Sequence, residues 1–203
     1  MAVSLARAEA VEAILDGAES LLVEVGYSAI TTRKLAERAG VNHGLVHYYF
    51  GSMEEVFLQV LERYTARLTD RQRELYATDA PFIEKWRTAM EYLVDDGEAD
   101  YQKIWFELQA MAWSRPEMRA RVARIFAEWQ SVLVPAFRAG VRELGIDTRR
   151  YPVEVIVSLV ITFNEGVILE RLMGVDSGHA QLLNTIERML VRLEREHAKG
   201  AVR

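Results

Sequence analysis

Cysteine is absent from the 203 residues. Disulfides, zinc–thiolate sites and cysteine nucleophiles are therefore excluded, and a reducing, cytoplasmic setting is expected. Long apolar runs are missing too. The stretch "YPVEVIVSLVITFNEGVILE", residues 151–170, comes nearest to the ~18 apolar residues of a membrane span, but Glu154, Asn164 and Glu165 break it. The first twenty residues lack the apolar run and small-residue cleavage site of a secretory signal. A soluble chain with no membrane partner is the expectation. Catalytic signatures are also wanting: there is no G-x-S-x-G, no H-E-x-x-H and no glycine-rich phosphate loop. Paired acids such as Glu54–Glu55 belong equally to helix ends. The chain is expected not to be an enzyme, with no catalytic residue, no metal site and no cofactor.

Proline is scarce, with four residues, and β-branched alternation is rare. What fills the space is apolar spacing of three and four, which predicts an all-α fold of about nine helices. The first runs over about 6–25 with Val11, Ile14, Leu15, Ala18, Leu21, Leu22 and Val25 on one stripe, and Gly26 closes it. Thr31 or Thr32 caps a second helix that stops at Gly40, and Asn42 caps a third ending near Tyr49–Phe50. Ser52 with Glu55 has the spacing of a capping box and opens a fourth helix reaching about Tyr76. Helices follow at about 81–95, 99–113, 116–144, 151–173 and 178–197. Pro81, Pro116 and Pro152 sit where a first turn tolerates proline. Pro135 falls inside a periodic stretch and is expected to kink or split its helix. Two domains are expected, a small one over 1–52 and a larger helical one over 53–203.

A net charge of −5 argues against a chain that binds nucleic acid by charge alone. Residues 31–50, "TTRKLAERAGVNHGLVHYYF", depart from that average: Arg33, Lys34 and Arg38 face only Glu37, leaving the segment at about +2. Two short helices joined by a tight turn can lay the second across a DNA major groove, about 12 Å wide. Ala36, Gly40 and Val46 supply a small residue, a turn glycine and a branched core residue at the required places. Packing of Leu45, Val46 and Tyr49 then turns His43, Gly44, His47 and Tyr48 outward. Imidazoles and a phenol can bond to base edges and phosphate oxygens, and Gly44 admits close approach of the duplex.

Residues from about 8 to 58 resemble the DNA-binding domain of the TetR family of bacterial transcriptional regulators. The matches are "TTRKLAERAGV" and "LVHYYFGSMEEVF", the latter close to the family pattern TLYxYFxxKEALF. The resemblance implies that Thr32 meets a phosphate and Arg33 a base edge. It places Asn42, His43 and Gly44 at the start of a recognition helix, with His47, Tyr48 and Tyr49 at base and backbone contacts. Two positions depart from the pattern. His47 replaces the usual tyrosine, and Met53 stands where a lysine usually grips phosphate. The resemblance further implies a homodimer joined through the last two helices, a double-stranded operator and a small-molecule effector, with repression the commoner role.

The carboxy-terminal pattern fits a paired chain. Residues 178–197 carry Leu182, Leu183, Ile186, Met189, Leu190 and Leu193 as a narrow stripe, and 151–173 is apolar on nearly all sides. Rings and methionines gather between 82 and 129. Such a cluster serves a core as readily as a cavity. On helices that the family arranges around an effector, Trp86, Met90, Trp105, Phe106, Trp129, Phe163 and Asn164 are the expected ligand-binding residues. The alternative reading is a helical ligand-binding or adaptor protein in which Met53 marks weakened DNA recognition.

Overall fold

A computed structural model describes residues 2–94 and 99–201, with side chains described over 6–93 and 102–199. Nine α-helices and one short 3-10 turn make up the described residues. They are α1 Ala2–Val25, α2 Thr32–Ala39, α3 His43–Phe50, α4 Met53–Ala77, α5 Phe82–Val94, α6 Ala99–Ala112, α7 Pro116–Glu143, α8 Val153–Leu172 and α9 His179–Ala201; the 3-10 turn is Tyr27–Ala29. Among these residues no helix is long and apolar enough to cross a membrane. The expected helices are present, with α1 beginning earlier and α9 running further than their apolar periods suggest. The helix expected over 81–95 is described to Val94; Asp95 lies outside the described residues.

Glycine and small polar residues set the boundaries. Gly26, Gly40 and Gly51 have φ of 72°, 66° and 73°, a backbone that residues with a Cβ adopt only at a cost. Thr31 and Asn42 accept backbone N–H groups of Lys34 (3.2 Å) and Gly44 (2.9 Å), satisfying donors that the first turn leaves open. Ser52 accepts from the Glu55 N–H at 3.2 Å. The reciprocal half of the expected capping box is replaced, since the Glu55 carboxylate oxygens go to Gln59 and to Arg121.

Pro135 neither splits nor ends α7, which is continuous from Pro116 to Glu143. Proline removes one backbone donor and crowds the preceding turn. Here Leu133, Phe137 and Val141 lie on the same helix and are buried in one core. Helices in proteins draw most of their stability from such packing, and it carries α7 across the local defect.

The chain divides into two compact units. The first comprises Met1–Arg67 with Ala99–Ile125, the second Leu68–Glu98 with Phe126–Arg203. In the first, Ile14, Leu15, Ala18, Leu21 and Leu22 of α1 are buried, as are Leu35, Ala36, Val46 and Phe50 of the helix pair. Val25, at the end of the expected stripe, is exposed because α1 stops beside it. Val56, Phe57, Val60 and Leu61 of α4 are also buried, with Ile104, Trp105 and Leu108 of α6. The second unit has its own core: Phe82, Trp86, Leu133, Phe137, Val141, Leu144, Val153 and Val157.

Candidate nucleic-acid interface

The turn between α2 and α3 is three residues long and fully specified by local chemistry. The Gly40 N–H bonds to Glu37 O at 3.2 Å and the Val41 N–H to Ala36 O at 3.0 Å, so two carbonyls at the end of α2 are satisfied. Asn42 starts α3 at once. Val46 and Phe50 then face inward, 2% and 7% exposed. A period of 3.6 residues sends His43, Gly44, His47 and Tyr48 to the other side, and all four are exposed; Tyr48 reaches 78%. Asn42 and Arg33 are exposed as well, while Thr32 and Tyr49 are half-buried. The expected outward set is therefore together on one face of the first unit.

Gly44 has no internal reason to be glycine. A Cβ built there meets only Asn42 Oδ1, at 3.4 Å, an ordinary contact. Its φ is not in the left-handed region. Glycine inside a helix costs about 1 kcal/mol relative to alanine, and nothing within the fold offsets that.

Charge on this face differs from the sequence count. Arg38 is drawn back across α1: its two terminal nitrogens meet Glu24 Oε1 and Oε2 at 2.6 and 2.7 Å, and it also donates to Ser20 Oγ. The guanidinium hydrogen bonds hold the Glu24 carboxyl at about 2, below its usual 4.5. Lys34 Nζ donates to Ala29 O at 2.9 Å, closing the 3-10 turn. The local charge of about +2 is thus largely committed inside the unit, and Arg33 is left exposed with no acidic partner among the described residues.

Met53, the first residue of α4, is half-buried. Behind it the helix start is acidic and already paired: Glu54 bonds to Arg115 at 2.7 Å, and Arg121 meets both Glu55 and Glu62. The Glu54 carboxyl is lowered, first by its own backbone N–H and then by Arg115, against a smaller effect of burial. The positive end of this helix dipole is answered by its own first-turn acids.

Other partners had no local signature. Glu107 of α6 accepts the Tyr27 N–H at 2.9 Å. Arg63 of α4 bridges Glu12, Asp16 and Glu19 of α1. Arg7 of α1 stands over the ring of Tyr49, 5.9 Å from its centroid. Residues so distant in sequence leave no periodic trace, so only the fold reveals them.

The expected effector residues fall in two places. Trp86, Met90 and Trp129 belong to the second-unit core, with the Trp86 ring edge-on to Phe137 at 6.4 Å. Phe163 and Asn164 lie half-buried on α8 in that unit, and Asn164 Oδ1 is buried with no hydrogen-bond partner. Trp105 and Phe106 lie on α6, in the first unit, buried and half-buried.

The model of bacterial regulatory proteins of the tetR family matches residues 14–60, which span α1 to the first turns of α4. Residues 14–60 are thus similar to the tetR-family regulatory proteins. It is 26% identical over 178 residues to the transcriptional repressor AcnR of Corynebacterium glutamicum, covering 86% of this chain and 88% of that one. Its fold is similar to that of FadR from Bacillus subtilis, solved with stearoyl-CoA: TM-score 0.70, 19% identity, 89% and 97% of the two chains covered. A regulator from Saccharomonospora viridis solved with choline has a TM-score of 0.73 at 19% identity, over 91% and 95%. The curated relatives are transcriptional regulators of the helix-turn-helix type, and residues 14–60 are the segment of this chain that matches the family model.

Proposed function

We propose that this chain is a homodimeric repressor that reads a palindromic operator through α3 and is released by a small, largely apolar effector. Residues 1–52 carry the DNA contact, and residues 53–203 carry the effector and the dimer. The observation that supports the DNA assignment is the outward set of α3. His43, Gly44, His47 and Tyr48 are exposed, and the glycine has no task within the fold. Asn42, Thr32, Arg33 and Tyr49 border that set and complete the proposed contact.

Pairing has its own support. On α8, Val155, Leu159, Thr162, Gly166 and Leu169 are all exposed and recur on one face, which the exposed C-cap residue Met173 continues. On α9, Ile186, Leu190 and Leu193 pack inward, whereas Leu182 and Met189 remain exposed. Exposed apolar residues recurring along two successive helices are costly to leave in water, and a two-fold copy covers them with their own like. Such a dimer presents two copies of α3 to grooves about 34 Å apart.

For the effector, Asn164 is the supporting feature. Its buried Oδ1 has no hydrogen-bond partner; such an acceptor costs about 1–3 kcal/mol, and a ligand donor would relieve it. The stearoyl-CoA and choline bound by structurally similar regulators fit a mixed polar and apolar ligand of this kind. A ligand that prefers one arrangement of the dimer lowers operator affinity by the ratio of its affinities for the two arrangements.

The test is an electrophoretic shift with DNA flanking the protein's own gene. Arg33→Ala and Tyr48→Ala are each expected to abolish specific binding while the protein stays folded and paired. Sequence-specific binding retained in both variants removes this contact face.

A further inference from the structure

We infer that Arg7 is a further phosphate contact of the recognition surface, held in place by Tyr49. This rests on the DNA-reading assignment above and adds a residue outside the helix pair. The guanidinium lies 5.9 Å from the centroid of the Tyr49 ring, within the reach of a cation–π contact. Tyr49 in turn meets Tyr48 edge-on, with centroids 5.1 Å apart and planes at 68°. A cation, a half-buried ring and a ring 78% exposed thus run in a row onto the face that α3 turns outward.

Charge makes the row meaningful. Arg38 is spent on Glu24 and Lys34 on a carbonyl, and Met53 brings no charge to the start of α4. A face meeting a duplex needs cations at the backbone to gain from counterion release. Arg7 is exposed and has no acidic partner among the described residues. Its chemistry also suits the place. A guanidinium has five N–H donors in one plane, which can grip two phosphate oxygens. The ring limits the side chain before DNA arrives, so less freedom is lost on binding.

The experiment measures affinity of the full chain for operator DNA and for an unrelated duplex across about 50 to 200 mM salt. For Arg7→Gln we expect affinity for both duplexes to fall by a similar factor. The slope of log affinity against log salt should become shallower by about 0.9, the value of one phosphate contact. Arg7→Lys, which keeps the charge, should recover that slope with only part of the affinity. An unchanged slope in Arg7→Gln overturns the inference, as does a loss confined to the operator, which would signify a base contact. If the parent protein shows no preference for operator, the regulator reading falls instead; the slope on unrelated DNA still decides the role of Arg7.

Discussion

Arg38 and Glu24 meet through two nitrogens and two oxygens, at 2.6 and 2.7 Å, across the α1–α2 contact. The pair joins α2 to α1 at the surface, beside the buried Leu35 and Ala36 of α2. Its carboxyl sits at about 2 in the folded chain against an ordinary 4.5. A carboxyl lowered on folding stabilises the fold fully above its ordinary value. That contribution is withdrawn as pH falls from about 4.5 through about 2. In a carboxyl NMR titration, Glu24 should titrate near the lower value in the parent and return toward the ordinary one in Arg38→Gln. Titration near 4.5 in the parent protein would rule the pair out as a solution feature.

Gly44→Ala separates stability from reading. Alanine restores helix propensity by about 0.5–1 kcal/mol, and its Cβ finds only an ordinary contact at 3.4 Å. The melting temperature should hold or rise. Operator affinity should fall, because the methyl group stands on the outward face between His43 and His47. Thermal melts and a shift assay on the same preparation decide it. Unchanged affinity would show that the duplex does not approach this position.

Local chemistry explains how much of this was legible in advance. Thr31, Asn42 and Ser52 announce helix starts because a cap acts over two or three residues, and Gly26, Gly40 and Gly51 announce ends because they supply a rare backbone. The outward set of α3 follows from the helical period once Val46 and Phe50 are known to be core. Pairings across the chain leave no such trace. Arg38 counted as a free cation until Glu24, on another helix, was seen to hold it. A split at Pro135 stayed open in the sequence because the local cost of proline is plain, whereas the packing of Phe137 and Val141 along the continuous helix is not. The narrow stripe of α9 is one pattern in sequence, yet it divides into an inward set and an exposed pair.

Gly140 of α7 is fixed by a ring. A Cβ there would lie 2.3–2.5 Å from three atoms of Phe82, whose own N–H is held by Glu143 Oε1 at 2.9 Å. Phe82 is buried and also meets Phe137 edge-on at 5.2 Å, so it has little room to retreat. Overlap with three ring atoms puts overpacking in the upper part of its usual range, about 2–3 kcal/mol, and propensity returns about 1 kcal/mol. Gly140→Ala should therefore lose about 1–2 kcal/mol net. Chemical denaturation checks the loss, and adding Phe82→Leu should recover part of it by making room. A neutral Gly140→Ala would mean that α5 and α7 sit further apart than described.

The exposed apolar residues of α8 and α9 distinguish a paired chain from a solitary one. Leu159 and Met189 are 69% and 60% exposed, so neither stabilises its own chain much. Replacing both with glutamate should leave helix content unchanged while placing four like charges at the proposed two-fold contact. Burying unpaired charge costs several kcal/mol, enough to separate a pair at micromolar concentration. Sedimentation equilibrium should show the parent as a dimer and Leu159→Glu/Met189→Glu as a monomer. Operator affinity should fall with it, because two half-sites then bind independently instead of together. A double variant that stays dimeric places the contact elsewhere. A monomeric variant with full operator affinity would show that pairing is not what aligns the two recognition helices.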